Sequence, residues 1–330
     1  MEGVTDYPMR RFMTERGGFT HCVSEFLRVS QEVPPRKTYR EFLPELATGS
    51  RTPSGTLVQL QLLGGDPEKL AEAAVRACEM GSPGVDLNFG CPAPTVNRHD
   101  GGATLLKHPS RIRTIVETVR RAVPAHLPVS AKMRLGWDGI EAIFENTGMA
   151  AEGGASWITI HARTRMAAYQ PPVFWSQIGK VRRALDGVPL VANGDIWSFE
   201  DFLKCRDESG CEHFMMGRGA LADPDLVHRV ARELGLPADP ARDSTPLTRE
   251  AWAMLVDRFI EISLEYFPVQ SAVLARCKQW IRMAHRHRGL EWFDEVKRLE
   301  TLEELQRYLR GAVVAGPASG STNVDVKKLS

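Results

Sequence analysis

The chain has 330 residues, of which 43% are hydrophobic and 25% are charged, and its formal net charge is +1. This composition is ordinary for a globular protein with a sizeable core. It excludes a generally polycationic protein, so any contact with nucleic acid needs a local basic patch. The six cysteines show neither metal-ligand spacing nor a paired framework, and neither a signal peptide nor a long apolar run is recognisable. We therefore expect a cytoplasmic protein with reduced thiols, without a metal and without a membrane segment.

Strand and helix patterns alternate along the first 237 residues. Short apolar runs predict strands at residues 20–26, 56–63, 84–87, 128–133, 156–161, 188–192 and 212–216. Helical periodicity and capping signals predict helices at residues 8–16, 67–80, 109–123, 139–153, 174–185, 198–206 and 223–234. With one further strand expected before Met1, the pattern makes eight strand–helix units. This arithmetic favours an α/β fold of the (β/α)8 TIM-barrel type over a doubly wound open sheet.

The pattern changes after residue 237. Residues 238–246 are rich in Pro, Asp, Ser and Thr, which suits a linker. Residues 246–310 have a helical period throughout, and we expect three or four helices there as a small all-α bundle. The tail at 311–330 lacks apolar periodicity, and we expect it to be disordered. The predicted organisation is therefore a barrel over 1–237, a helical domain over 246–310 and a tail.

One strand ends in a motif that suggests chemistry. The run at 84–87 is followed by Asn88 and Cys91, and Gly90 and Pro92 enforce a turn around the thiol. A cysteine of this kind is either an inert buried thiol or a reactive group, and its place in a loop at the end of a strand favours chemistry. Asn88 has two interpretations as well, because its amide can cap the loop or offer a donor and an acceptor to a ligand.

The other strand ends are also unusually polar. They carry Gln59, Gln61, Lys132, Arg134, His161, Arg163, Arg165, Asn193, Gly194, Asp195, Gly217, Arg218 and Gly219. Lys132 and His161 stand inside apolar runs on neighbouring strands, so they would converge on one pocket. The glycine-bearing loops at 193–195 and 217–219 come last in the barrel, where loop amides commonly bind phosphate. A phosphorylated planar cofactor would fit this arrangement.

Taken in order, these motifs resemble those of tRNA-dihydrouridine synthases. They are Met-Glu-Gly-Val-Thr-Asp at 1–6, Leu-Asn-Phe-Gly-Cys-Pro at 87–92, Lys-Met-Arg at 132–134, His-Ala-Arg-Thr-Arg at 161–165, Asn-Gly-Asp at 193–195 and Gly-Arg-Gly at 217–219. The resemblance runs from Met1 to about Leu309. Three further segments, at 51–56, 101–106 and 135–137, are most similar to the bacterial C-type enzymes of the family.

The resemblance implies a flavin barrel joined to a helical tRNA-binding domain, with FMN as cofactor and NADPH as reductant. The implied FMN residues are Met1, Glu2, Gln61, Lys132, His161, Asn193, Gly194, Asp195, Gly217 and Arg218. The implied reaction reduces a D-loop uridine of tRNA, at position 16, to 5,6-dihydrouridine. Flavin N5 would pass a hydride to C6, and Cys91 would protonate C5 as general acid. A thiol with a pKa of about 8.5 is largely protonated at neutral pH and suits that role. Asn88 suits the imide edge of uracil.

The segment 276–288 is a candidate RNA contact, because it has five Arg or Lys, two His and no acid. At helical spacing an apolar stripe consists of Val273, Cys277, Trp280, Ile281 and Ala284, and the opposite side carries Lys278, Arg282, His285 and Arg286. Such a run is often only a solvated face. The excess of basic groups nevertheless favours phosphate contacts by Lys278, Arg282 and Arg286. By resemblance, Arg276 and Lys278 match the tRNA-contacting motif, and Arg28, Thr95 and Tyr169 occupy loop positions that face RNA.

Two other functions stay open at this stage. A flavin enzyme acting on a free pyrimidine, as in dihydroorotate oxidation, would explain the flavin loops but leaves segment 276–288 without a purpose. A non-catalytic tRNA-binding protein is the other alternative, against which Cys91 and Lys132 argue. Family members normally carry an apolar strand and an Ala-Pro pair directly before the residue that is Met1 here, so we expect the native start upstream. We expect a monomer with tRNA as its partner.

Overall fold

Seven parallel strands form one curled sheet in the order in which they follow along the chain. The structure is a computed structural model that describes residues 3–98, 100–243 and 247–311, apart from the side chains of Thr95 and Arg98. The strands are β1 (His21–Arg28), β2 (Leu57–Leu63), β3 (Val85–Phe89), β4 (Val129–Arg134), β5 (Ile158–His161), β6 (Leu190–Asn193) and β7 (His213–Met215). All seven predicted strands are confirmed. The strand expected before Met1 lies outside the described residues.

Helices in the connections cover the outside of the sheet. They are α1 (Tyr7–Arg16), α2 (Arg36–Phe42), α3 (Pro67–Glu79), α4 (Pro94–Arg98), α5 (Pro109–Ala122), α6 (Ala142–Glu152), α7 (Trp175–Ala184), α8 (Phe199–Ser209), α9 (Arg218–Ala222) and α10 (Leu226–Glu233). Short 3-10 helices lie at Pro44–Thr48 and Gly102–Lys107. Parallel strands with helical crossovers confirm the predicted α/β fold of the barrel type. The short helices α2, α4 and α9 were not predicted.

Side chains alternate along each strand between an outer apolar face and an inner polar face. On β3, Val85, Leu87 and Phe89 belong to the apolar core that the sheet forms with the helices, whereas Asp86 and Asn88 point to the opposite side. The same inner face carries Gln59, Gln61, Ser130, Lys132, Arg134, Thr159, His161 and Asn193. Burial of polar groups is unfavourable unless they are hydrogen-bonded, so this polar inner layer is where a functional site is expected.

Four helices follow the barrel and share a core with it. They are α11 (Arg249–Tyr266), α12 (Gln270–Arg288), α13 (Phe293–Val296) and α14 (Leu302–Leu309). The predicted apolar stripe of α12 is buried. Phe12 of α1 meets Phe259 and Trp280 edge-on, with ring centroids 5.8 and 5.0 Å away. The Trp280 indole donates a hydrogen bond to the carbonyl oxygen of Leu221 at 2.8 Å. The bundle is therefore packed directly onto α1 and α9.

The predicted limits of the domains stay a prediction, because this shared core crosses between the two parts of the chain. The core contains Met9 and Phe12 from α1, Leu221 from α9 and Val227 from α10 together with residues of α11 to α14. The disordered tail was predicted at 311–330, and residues 312–330 lie outside the described residues.

Phe12→Ala should lower the free energy of unfolding by about 3–5 kcal/mol, because it removes a fully buried ring from the contact between α1 and the bundle. Phe144, which is 39% exposed on α6, is the matched control, and Phe144→Ala should change stability by only about 0.5 kcal/mol. Urea unfolding of the two variants and the wild type would measure the difference. Equal effects of the two substitutions would show that α1 and the bundle are not energetically joined.

Candidate active site

Cys91 lies directly after β3 in a loop that hydrogen bonds hold in place. Asn88 Oδ1 accepts from the backbone N–H groups of Gly90 and Cys91, each at 2.9 Å. Asn88 Nδ2 donates to Gln61 Oε1 at 2.7 Å. The Arg134 guanidinium, itself buried, donates to the carbonyl oxygen of Gly90 at 2.9 Å. The half-buried thiol is thus carried by a loop whose backbone is fixed on both sides of the glycine.

Asn88 has the hydrogen bonds of a loop cap, which is the first of its two interpretations. Both lone pairs of Oδ1 are used by backbone N–H groups, and one Nδ2 hydrogen is used by Gln61. The other Nδ2 hydrogen has no partner in the described parts of the chain. A contact between Asn88 and uracil therefore stays a prediction, and it has one hydrogen available to make it.

Lys132 lies next to Asn88 across the β3–β4 pair. Its Nζ donates to Asn193 Oδ1 at 3.1 Å, and Asn193 Nδ2 donates to the carbonyl oxygen of Met215 at 2.7 Å. Burial, and then the charge of Arg134, lower the pKa of Lys132 to about 8. Lys132 is therefore an ammonium group at neutral pH, and these hydrogen bonds connect the end of β4 to the ends of β6 and β7.

His161 is a buried neutral imidazole beside several cations. Burial, followed by the charges of Arg134 and Lys132, holds the pKa of His161 well below its usual range. Its Nδ1 atom is buried without a hydrogen-bond partner among the described residues. Buried polar atoms normally have partners, so an unpaired ring nitrogen in this position is suited to a ligand.

Asp195 joins the loops that follow β6 and β7. Its backbone has a φ of 50°, and its carboxylate pairs with Arg163 and, at 2.8 Å, with Arg218. Burial acts to raise the pKa of Asp195, but the hydrogen bond from Arg163 and the charges of both arginines hold it below its usual value. A Cβ at Gly219 would lie 1.8 Å from the carbonyl oxygen of Ile196, so the two loops touch through backbone.

A stack of four side chains leads from this site to α12. The Arg218 guanidinium lies 4.3 Å from the centre of the Tyr169 ring and 4.9 Å from that of Trp197. The rings of Trp197 and His287 stack with their centroids 3.4 Å apart. Arg288 reinforces the contact by donating to the carbonyl oxygen of Trp197 at 2.6 Å. The last residues of α12 are therefore held directly against the β6 loop.

A model of the family described as "Dihydrouridine synthase (Dus)" matches residues 1–312 of the chain. The chain belongs to the dihydrouridine synthase family. A relative from Aquipseudomonas alcaligenes, named tRNA-dihydrouridine(16) synthase, is 41% identical over 314 residues, which cover 94% of this chain and 96% of the relative. A protein of the same name from Neisseria meningitidis serogroup A is 41% identical over 312 residues, covering 94% of this chain and 92% of the relative.

Solved structures show a likeness of fold. Histamine dehydrogenase from Rhizobium sp. 4-9 covers 78% of this chain and 46% of its own length, with a TM-score of 0.53 at 13% identity. The family predicted from the motifs is confirmed, and with it the prediction of an enzyme. The similarity to the C-type branch of dihydrouridine synthases stays a prediction.

The predicted cofactor residues of this dihydrouridine synthase family member come together at one end of the sheet. These are Gln61, Lys132, His161, Asn193, Gly194, Asp195, Gly217 and Arg218, which lie near the C-terminal ends of β2, β4, β5, β6 and β7 or directly after them. Lys132 bonds to Asn193, and Arg218 pairs with Asp195. Met1 and Glu2 lie outside the described residues, so their predicted contact with FMN cannot be placed. Asp86, Trp197 and His287 were not predicted as site residues, although the alternation of β3 puts Asp86 on the same face as Asn88.

The predicted RNA residues fall into two groups. Arg28, expected in a loop, is exposed as the last residue of β1, and Tyr169 is exposed in a loop. Arg282 and Arg286 are exposed on α12 without an ion pair in the described parts of the chain. The side chain of Thr95 is outside the part of the chain that the structure describes. Arg276 and Lys278 form the second group, because each already contacts other parts of the protein.

Arg276 connects α12 to the beginning of the chain. Its Nε donates to Asp6 at 2.9 Å, and its guanidinium also donates to the carbonyl oxygens of Gly3 and Val4. Asp6 at the same time caps α1. Lys278 Nζ donates to the carbonyl oxygens that follow α13, at Lys297 and Leu299. Both side chains stabilise the fold, and their contact with tRNA stays a prediction.

Across the described residues, no helix is long and apolar enough to cross a bilayer. The same residues contain no cluster of three or more His, Cys, Asp or Glu side chains that could hold a metal ion.

Lys132→Met should reveal the unfavourable burial of the ammonium group as a pH dependence of stability. The pKa of Lys132 is about 8 in the folded chain against 10.5 for an ordinary lysine. Between these values the unfolded state binds more protons than the folded state, so wild-type stability should rise with pH relative to the variant. Below about pH 8 the difference should be constant.

Urea unfolding of the ligand-free protein between pH 7 and pH 10.5 would measure this difference. Lys180→Met, at an exposed position on α7, is the control and should show no such trend. A flat difference for Lys132→Met would mean that the ammonium group is not desolvated.

Proposed function

We propose that this protein reduces uridine 16 of tRNA to 5,6-dihydrouridine, with FMN as cofactor and NADPH as reductant. The observation that carries the proposal is the thiol of Cys91, fixed at the end of β3 beside a buried cationic cluster with an unpaired imidazole nitrogen. The relatives named tRNA-dihydrouridine(16) synthase support the substrate and the position, because they match over nearly their whole length.

The charges of the site favour an anionic ligand such as FMN. Four cationic side chains meet two carboxylates there among the described residues, namely Lys132, Arg134, Arg163 and Arg218 with Asp86 and Asp195. The buried atoms His161 Nδ1 and Arg163 Nη1 have no partner among the described residues. A cofactor with a phosphate and a polar ring edge would provide both negative charge and hydrogen-bond acceptors.

The residues fit FMN in two groups. Gln61, Lys132, His161 and Asn193 would hold the ring system, because they line the inner face of the strand ends. Gly194, Asp195, Gly217 and Arg218 belong to the two touching loops and would hold the phosphate side, mainly through backbone N–H groups and the guanidinium. When bound, FMN reduced by NADPH supplies the hydride for C6 of the uracil ring.

Cys91 would donate the proton that completes the reduction at C5. A general acid needs a fixed position and a transferable proton, and the loop bonds of Gly90 and Cys91 provide the first. The Lys132 ammonium group stabilises negative charge in the site without giving up its proton at neutral pH. The neutral His161 donates a hydrogen bond without adding charge. Asn88 would use its remaining Nδ2 hydrogen for a carbonyl oxygen of the uracil.

The RNA would lie across the mouth of the site and the exposed side of α12, in the helical domain at 246–310. Arg282 and Arg286 are exposed cations without an ion pair in the described chain, and phosphate contacts from such groups position an RNA. Tyr169 is 52% exposed beside the site, where an aromatic ring suits a base that has been turned out of its loop. The stack that ends at His287 joins these two places rigidly.

Cys91→Ala should lower dihydrouridine formation by about 10²–10⁴-fold, the usual contribution of a general acid. Reduction of the bound flavin by NADPH should persist, because it does not require the thiol. The assay uses tRNA from a strain that lacks dihydrouridine and measures the modified nucleoside at position 16 by mass spectrometry. Cys78→Ala, a half-buried cysteine on α3, is the control and should behave as wild type. Wild-type-like turnover of tRNA by Cys91→Ala would remove the thiol from the mechanism.

Arg282→Gln combined with Arg286→Gln should weaken tRNA binding and reduce its salt dependence, since each lost phosphate contact removes a released counterion. Flavin content and its reduction by NADPH should not change. Arg183→Gln is the control, because it makes the same Arg→Gln change at an exposed position on α7. Filter binding at several salt concentrations would measure the effect. Reduction of free uracil at a rate unaffected by the double substitution, without activity on tRNA, would favour the free-pyrimidine alternative.

A further inference from the structure

A row of buried hydrogen bonds runs across three strands beneath the Cys91 loop. Ser130 Oγ donates to Asp86 Oδ1 at 2.6 Å, and Gln61 Nε2 donates to Asp86 Oδ2 at 2.7 Å. Gln61 Oε1 then accepts from Asn88 Nδ2, the residue that caps the loop. The strand register explains the row, because Gln61, Asp86 and Ser130 are lateral neighbours on β2, β3 and β4.

The groups at the two ends of the row determine how the side-chain amides of Gln61 and Asn88 are turned. A carboxyl oxygen that holds no proton only accepts hydrogen bonds, as Asp86 Oδ2 does from Gln61, and a backbone N–H only donates them. Asp86 therefore requires the amide nitrogen of Gln61, which turns the Gln61 oxygen toward Asn88. The N–H groups of Gly90 and Cys91 require the oxygen of Asn88, which turns its nitrogen toward Gln61. Reversal of either amide would bring two donors or two acceptors together.

Stability alone does not account for a carboxylate at this position. Asp86 is 1% exposed, and its hydrogen-bond partners in the described chain are the neutral side chains of Ser130 and Gln61. Burial raises the pKa of Asp86, and this shift is opposed first by the hydrogen bonds from Ser130 and Gln61 and then by Lys132 on β4 and His21 on β1. A buried carboxylate without a contacting cation is unfavourable, and well-packed apolar side chains often replace buried polar groups without loss of stability.

We propose that Asp86 is a positioning residue, which orients the amides of Gln61 and Asn88 and thereby fixes the loop that carries Cys91. This proposal rests on the proposed function only for its effect on catalysis. The fixation of the loop is a property of the chain itself. With Asp86 in place, the hydrogen-bonding groups that Gln61 and Asn88 present to the site have one arrangement, and the thiol has one position.

The first test compares the alkylation rate of Cys91 in the purified holoprotein, with iodoacetamide as probe and peptide mass spectrometry as readout. Asp86→Ala removes the acceptor, so the Gln61 amide can turn and the loop loses its fixed cap. Alkylation of Cys91 should accelerate about five- to tenfold, the factor that corresponds to one hydrogen bond. Cys78 in the same sample is the internal reference. An unchanged rate in a folded Asp86→Ala protein overturns the proposal.

Two further variants test whether Asp86 acts by orienting the Gln61 amide, by its charge or by general packing. Asp86→Asn keeps an acceptor oxygen for Gln61, and the Ser130 hydroxyl can turn to accept from the new amide, so it should alkylate nearly as wild type. Ser130→Ala leaves the bond between Asp86 and Gln61 intact and should also be close to wild type. If Asp86→Asn resembles Asp86→Ala, the charge of Asp86 acts on Lys132 and the proposal is wrong. If Ser130→Ala resembles Asp86→Ala, general packing is responsible and the proposal is equally wrong.

The catalytic readout is kinetic. Asp86→Ala should lower kcat for tRNA about 10- to 100-fold, because small misplacements of a reacting group are costly, while KM for tRNA stays constant. Asp86→Asn should restore most of kcat. If the wild type forms no dihydrouridine, the proposed function fails while alkylation still tests the positioning role. If Asp86→Ala does not fold, Gln61→Leu interrupts the same row with Asp86 intact, and an unchanged Cys91 alkylation rate there overturns the proposal.

Discussion

The requirement that buried polar groups find partners governs the inner face of the sheet. Strand alternation places apolar side chains such as Leu87 outward, against the helices, and polar ones such as Asp86 inward. The inner groups are then satisfied by one another between strands. Lys132 on β4 bonds to Asn193 on β6, and Gln61 on β2 bonds to Asp86 on β3. Where no partner exists among the described residues, at His161 Nδ1 and Arg163 Nη1, the layer is open to a ligand.

Three parts of helix α12 make different contacts. Its apolar stripe, with Trp280 at the centre, forms the core of the bundle and contacts α1 and α9. Its end is stacked on Trp197 and thereby on the loop that carries Arg218. The remaining side presents Arg282 and Arg286 to solvent. The proposed RNA surface and the proposed cofactor loop are in this way joined by direct side-chain contacts.

Much of the fold could be predicted because the signals are local. Every strand from β1 to β7 has a compact apolar run, and the long helices have a period and caps that a sequence shows directly. The helices α2, α4 and α9 were missed because each is too short for a period. The Pro34-Pro35 pair predicts a break in regular structure, although Pro35 is the N-cap of α2. The grouping of the candidate site residues at one end of the sheet could be predicted because they follow strand ends, whereas their roles stay predictions. The partners of Arg276 and Lys278 could not be predicted, since these contacts join distant parts of the chain.

Asp6 and Arg276 are 270 positions apart in sequence and 2.9 Å apart in space. On a ribosome the chain emerges from its first residue onward, so α1 is made long before α12 exists. Until the bundle has been synthesised, Phe12 has no Phe259 or Trp280 to pack against, and the acceptors at Gly3, Val4 and Asp6 have no guanidinium. The apolar side of α1 therefore stays uncovered through most of synthesis, a window in which the nascent chain depends on solubility and on chaperones more than on its own core.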